Sequence, residues 1–255
     1  STRAAQPPTI PGHVVVVMEE NHGYSDIIGN PSAPYINSLA ARGALFTDSH
    51  GVSHPSEGNY IALYSGHTYG LTDDTCGTRV NEPNLYTQLD GDMVNYSESL
   101  SGDRCGNSGG LYSPWHNATS YFTNVPPSGN RPFTAFPTDY ATLPKVAFVA
   151  PNMQDDMHDG SVARGDRWLR SNLGGYAEWA RQHNSLLILT WDEDEGTQGQ
   201  NRIATIAIGE HVAPGTYPQR ITHYTVLRTL ESLFGLAPLG AATGTSSITA
   251  MSSRR

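Results

Sequence analysis

The first sustained apolar run in the chain is Val14-Val15-Val16-Val17-Met18. It shows no polar alternation, which is the pattern of a strand buried on both faces in a parallel sheet. Lys145–Ala150, Leu186–Trp191 and Ile203–Gly209 read the same way; Ala44–Thr47 is a shorter strand and Met93–Tyr96 a further candidate. Between these runs the period changes to that of a helix. Ser32–Arg42 puts Ile36, Leu39 and Ala40 on one face and stops at Gly43. A helix from Ser161 to His183 turns Leu169, Leu173, Tyr176 and Ala180 inward, and one from Thr222 to Phe234 does so with Val226, Leu230 and Leu233. Glu57–Tyr64 is a shorter helical stretch. Residues 67–140 have little periodicity and much Gly, Pro, Asn and Ser, so they are expected as a loop-rich insertion over one face.

Strands alternating with helices predict an α/β fold, a mostly parallel sheet flanked by helices. Without internal repeats or a dividing linker, one domain over residues 12–255 is expected, after a flexible arm over 1–11. In such sheets ligands bind beyond the carboxyl ends of the strands. Here three expected strands end directly in polar clusters: Glu19-Glu20-Asn21-His22, Asn152 to Asp159, and Asp192-Glu193-Asp194-Glu195.

Charge narrows the partners. The chain has 15 Lys+Arg against 24 Asp+Glu, a net −9. That argues against a nucleic-acid partner and against simple docking on an anionic membrane. An acidic protein that handles a phosphate needs local positive charge, for which a metal ion is the usual source. No apolar run approaches the ~20 residues of a membrane span. No signal-peptide pattern opens the chain; the polar, Pro-rich start is that of a mature secreted protein. Cys76 and Cys105 lie in the loop-rich stretch without further zinc ligands nearby, and are read as one disulfide formed in an oxidising compartment. Two unrelated thiols are the alternative. Asn95-Tyr96-Ser97 and Asn117-Ala118-Thr119 fit glycosylation sequons.

The polar clusters carry the candidate chemistry. Glu20 and Asn21 at a strand end, and the acids from Asp192, offer hard oxygen ligands for a divalent cation. Solvated acidic turns are the alternative for each. Ser56 precedes an expected helix, where it is either the N-cap or a nucleophile activated by a coordinated metal. Asp155-Asp156-Met157-His158-Asp159 is a metal-binding or acid–base cluster, and His223 opens the last helix as a candidate neutral imidazole.

Val-Val-Val-Met-Glu-Glu-Asn-His, His-Pro-Ser-Glu-Gly-Asn-Tyr, Asp-Asp-Met-His-Asp-Gly-Ser and Thr-Trp-Asp-Glu-Asp-Glu-Gly, in that order, resemble the bacterial phosphoesterase family. That family, of secreted acid phosphatases and non-specific phospholipases C, belongs to the alkaline-phosphatase-like superfamily. The likeness runs from about His13 to Leu236, with Ile-Thr-His-Tyr-Thr-Val-Leu near its end. It implies an alkaline-phosphatase-like core, with Ser56 as the nucleophile that becomes a phosphoserine. It implies that Glu20, Asn21, Asp192 and Glu193 hold metal. His158, the expected catalytic histidine, or His223 then stabilises the phosphoryl oxygens or protonates the leaving alcohol, and His54, Asn59, Asp156, Asp159 and His223 are expected at the phosphate. Two-metal relatives carry Asp-His where this chain has Asp192-Glu193. That departure implies a different second site or a single metal, and one divalent ion (Ca, Mg, Mn or Zn) is expected. The longer phospholipase members have extra domains, which tilts the reading towards a secreted monoesterase acting on a small phosphorylated substrate or a phospholipid headgroup, phosphoinositides among the candidates. The rival readings are a phospholipase C-type diesterase releasing diacylglycerol and a non-catalytic anion- or metal-binding protein. A sulfatase is disfavoured, because His54-Pro55-Ser56-Glu57 lacks the Arg of that branch's motif.

Overall fold

A computed structural model describes residues 9–71, 73–74, 76–196 and 199–251. Most of the expected N-terminal arm, residues 1–8, lies outside the described residues. The eight strands are β1 (Val14–Glu19), β2 (Ala44–His50), β3 (Met93–Ser97), β4 (Asn130–Pro132), β5 (Val146–Ala150), β6 (Leu186–Trp191), β7 (Arg202–Gly209) and β8 (Gly215–Thr222). They form one sheet in the order β4-β3-β5-β1-β6-β7-β2-β8. Every neighbouring pair is parallel except those of β7, which runs antiparallel to β6 and β2. The reason is the short link between β6 and β7, whose described residues hold no helical crossover of the kind a parallel return needs.

The helices are α1 (Tyr24–Ile27), α2 (Pro34–Arg42), α3 (Glu57–Ser65), α4 (Leu85–Gln88), α5 (Val162–Ala180) and α6 (His223–Leu233). Helix α2 starts at Pro34 rather than Ser32, where proline's missing N–H is harmless. The other expected helices hold to within three residues at each end. Two cores form, one on each face of the sheet. Val14, Val16 and Met18 pack on α3 and α6, whereas Val15 and Val17 pack on α2 and α5. This two-residue alternation sets up the site: Glu20 continues the Val16–Met18 parity and points to the α3 side.

The insertion over 67–140 is a working part of the core rather than a solvated excursion. Leu85, Met93, Ala118, Tyr121, Phe122 and Val125 join the α3–α6 side. Its irregular backbone is held by side chains. Asn117 Nδ2 donates to Tyr112 Oη and Asn130 Oδ1, its Oδ1 accepts from Thr119, and Asn95 Nδ2 donates to Asn117 Oδ1. Both sequon asparagines are therefore buried bracing groups, closed to glycosylation. Cys76 and Cys105 form the disulfide, with Cα atoms 5.7 Å apart.

Candidate active site

The site assembles at the carboxyl edge of the sheet, where β1, β5 and β6 end side by side. Ser56 sits at the start of α3 with helical φ and ψ, and its side chain makes no cap hydrogen bond. The hydroxyl instead turns to two carboxylates. Its Oγ lies 3.1 Å from Glu20 Oε2 and 3.2 Å from Glu193 Oε1. The side chain therefore does not serve as the helix cap.

Glu20 is fully buried and fully engaged. Its Oε1 accepts a hydrogen bond from Tyr60 Oη (2.9 Å) and lies 2.9 Å from His116 Nε2. The His116 contact is an ion pair without hydrogen-bond alignment. On its other side His116 Nδ1 lies 3.3 Å from Asp156 Oδ2, and the imidazole stacks on the Tyr60 ring. Burial alone would lower the His116 pKa, but the flanking carboxylates of Glu20 and Asp156 hold it well above the usual value. Burial would likewise raise Glu20, yet the charge of His116 and the hydrogen bonds around it bring Glu20 below the usual value. Each group thus favours the charged form of the other.

Asp192 and Glu193 follow β6. Burial, then the charge of Glu20, pushes Asp192 well up and Glu193 up to about 7. Oxygens of Glu20, Asp192 and Glu193 converge within 4.8 Å of one another. Asp192 Oδ2 is buried without a hydrogen-bond partner. Three converging acids with an orphaned oxygen fit a hard divalent cation, which relieves the mutual repulsion that otherwise favours protons. Asn21 lies beside them: its backbone N–H donates to Asp192 Oδ1 (3.1 Å), at a φ of 34° that asparagine tolerates.

The remaining expected residues fall in three places. His54 lies at the surface of the acidic loop, Nδ1 2.7 Å from Glu193 Oε2 and Nε2 3.4 Å from Asp194 Oδ1. His158 and Asp159 form an exposed pair (2.7 Å) whose imidazole centroid is 6.3 Å from that of His116. Asp156 anchors this segment, accepting from the His158 backbone N–H and giving its own carbonyl to Glu20 N–H. Two expected phosphate contacts are committed elsewhere. Asn59 Oδ1 accepts from the Val52 and Ser53 N–H groups, and its Nδ2 donates to the Ser53 carbonyl, so it braces the loop before Ser56. His223 is buried with Nε2 donating to the Asp192 carbonyl (2.7 Å), and burial lowers its pKa to about 4. It is a neutral prop behind the acid pair.

Two residues of the site, Tyr60 and His116, are absent from the expected set. Tyr60 stands four residues after Ser56 in α3, on the same helix face, and that spacing was a usable signal. His116 lies in the 3-10 turn Pro114–His116 of the insertion, where no periodicity marks it.

An eight-stranded, mostly parallel sheet flanked by helices, with Ser56 and an acidic cluster at its carboxyl edge, has the fold of the alkaline-phosphatase-like α/β proteins. A crystal structure of an alkaline phosphatase superfamily protein from Vibrio parahaemolyticus superposes with a TM-score of 0.63 at 13% identity, covering 94% of this chain and 70% of that one. The phosphoesterase family model matches residues 30–237, and the chain belongs to that family. It is 47% identical over 246 residues to the phosphatidylinositol-3-phosphatase of Mycobacterium tuberculosis, covering 93% of this chain and 81% of that protein. It is 28% identical to an acid phosphatase of Aspergillus fumigatus, over 87% of this chain and 54% of that protein, so it spans about half the length of the fungal relative. This kinship makes the chain a phosphoric monoester hydrolase.

Proposed function

We propose that the chain is a secreted phosphatase that transfers the phosphoryl group of a monoester to Ser56 and then to water. The observation that carries this is the hydroxyl of Ser56, 3.1 and 3.2 Å from two buried carboxylates and free of any capping role. Ser56 Oγ attacks phosphorus opposite the leaving oxygen; the Oγ–P bond forms as the P–O bond to the leaving alcohol breaks. The serine proton passes to Glu193 Oε1. Glu193 Oε2 lies 2.7 Å from His54 Nδ1, and His54 is half-exposed, so a proton has a short path to solvent. His158, at the exposed rim, is the group placed to protonate a leaving alcohol. Water then attacks the phosphoserine: its O–P bond forms as the P–Oγ bond breaks, and the same carboxylates take a proton from the water and return one to Ser56 Oγ.

Glu20, Asp192 and Glu193, with Asn21 beside them, would hold one divalent cation. When bound, such an ion supplies positive charge at the serine and phosphoryl oxygens. The disulfide fits an oxidising compartment, and no described helix is long and apolar enough to cross a membrane. The substrate class follows the mycobacterial relative: a phosphomonoester on a lipid headgroup.

The test is phosphate release from a panel of monoesters, with and without chelator, and in Ser56→Ala. Loss of at least about a thousandfold in Ser56→Ala is expected. Chelation should abolish activity, and added divalent ion should restore it. Near-wild-type release by Ser56→Ala contradicts the reading.

A further inference from the structure

The insertion carries a second charged feature. Its surface opens into a groove of about 510 Å3, lined by Arg79, Arg104, Ser101, Thr119, Thr123 and Asn130. Ser101 belongs to the segment that leaves the carboxyl end of β3 and Asn130 opens β4, so the groove lies over the β3–β4 flank of the sheet. Thr119 sits three residues after His116, so one irregular segment serves both places.

What sets Arg79 and Arg104 apart is that both line one groove with no carboxylate paired to either among the described residues. Among the described residues the arginine–carboxylate pairs take Arg42, Arg164, Arg181 and Arg220, and neither Arg79 nor Arg104 is in one. Arg79 Nη2 donates to the Phe122 carbonyl (2.8 Å). Arg104 Nη1 donates to the Ser120 carbonyl (3.3 Å) and lies 3.6 Å from Cys76 Sγ. These bonds fix both guanidinium forks and leave their other N–H groups without a protein acceptor among the described residues. A fork anchored by carbonyls, with donors to spare, is preorganised for a phosphate oxygen pair. The Cys76–Cys105 disulfide ties together the two segments that carry these arginines.

We infer that this groove is a second anion site that takes a phosphate-ester group. On a substrate bearing two phosphates it holds the one that is not transferred; this second statement rests on the phosphatase reading above. Recognition of a phosphodiester there would favour a lipid headgroup over a simple monoester.

Calorimetric titration with glycerophosphoinositol, a diester with no monoester to transfer, tests the site directly. Wild type and Ser56→Ala should bind it equally, and Arg79→Gln/Arg104→Gln at least about tenfold more weakly, since a charge-assisted contact is worth about that much. Arg79→Gln alone, at an exposed position, covers the case in which the double variant misfolds: nitrophenyl phosphate turnover stays at the wild-type level while diester binding falls. Two further arms identify the source of the anion. A KM for short-chain phosphatidylinositol phosphate raised about tenfold, with the KM for nitrophenyl phosphate unchanged, identifies the substrate's own headgroup. Weakened binding of inorganic phosphate, with both KM values unchanged, identifies free phosphate. Equal binding of glycerophosphoinositol and of inorganic phosphate by wild type and both variants overturns the proposal, whatever Ser56→Ala does to turnover.

Discussion

His116 shows how one side chain sets the state of several others. It is a buried imidazole between two acids, and its charge keeps Glu20 ionised in a place where burial favours the proton. In His116→Gln the ring stacking on Tyr60 and the positive charge are both lost. Glu20 should then hold a proton to higher pH, and the acid limb of the kcat/KM profile should move upward. We expect a loss of roughly a hundredfold or more at neutral pH, the scale of one lost electrostatic contact in a closed site. A profile of unchanged shape would make His116 a mere packing residue. The same scale explains what could be read early. Glu20, Asp192 and Glu193 stand directly after buried strands, so strand ends alone brought them to one edge. Asn59 stands three residues after Ser56 and His223 directly follows β8, but hydrogen bonds to backbone, invisible in a sequence, claim their side chains.

At the scale of elements, strands buried on both faces were legible because nothing polar interrupts them. The two edge strands were not. β8 contains Pro218 and exposes most of its residues, and β4 ends in Pro132. Proline is tolerated there because an edge leaves N–H groups unpaired, yet it makes the segment read as loop. The orientation of β7 was also hidden, since an apolar run carries no direction. The insertion was legible only as irregular. Its order comes from the Asn117 network and from aromatic residues that close one core, which are long-range facts without a period. Helix α3 shows the opposite case: every residue in it is buried, so it lacks the amphipathic signature and was recognised by composition and position.

For the whole molecule, the excess of buried acids has a consequence for stability. Burial raises the pKa of Glu193, Glu98 and Glu231 to about 7 each. A carboxyl whose folded pKa exceeds its unfolded value takes up its proton on folding. Its contribution is fully present below the unfolded value of ~4.3 and is lost as pH rises through about 7. The metal-free protein should therefore melt at lower temperature at pH 7.5 than at pH 5. Glu231 isolates part of this, because its Oε2 accepts from Leu239 N–H while its Oε1 is buried without a partner. Glu231→Gln should raise Tm at pH 7.5 by a few degrees and leave it nearly unchanged at pH 5. A Tm that climbs steadily from pH 5 to 7.5 without metal would contradict this picture.

The central claim is that the hydroxyl held between Glu20 and Glu193 becomes the phosphoryl acceptor. It is tested most directly by acid-quenching the enzyme during turnover of a monoester and mapping phosphate on its peptides by mass spectrometry. The account predicts a phosphate on Ser56 that forms with substrate, disappears as substrate is exhausted, and is absent in Ser56→Ala. Full turnover with no phosphopeptide at Ser56, or with phosphate trapped on another residue, would contradict it.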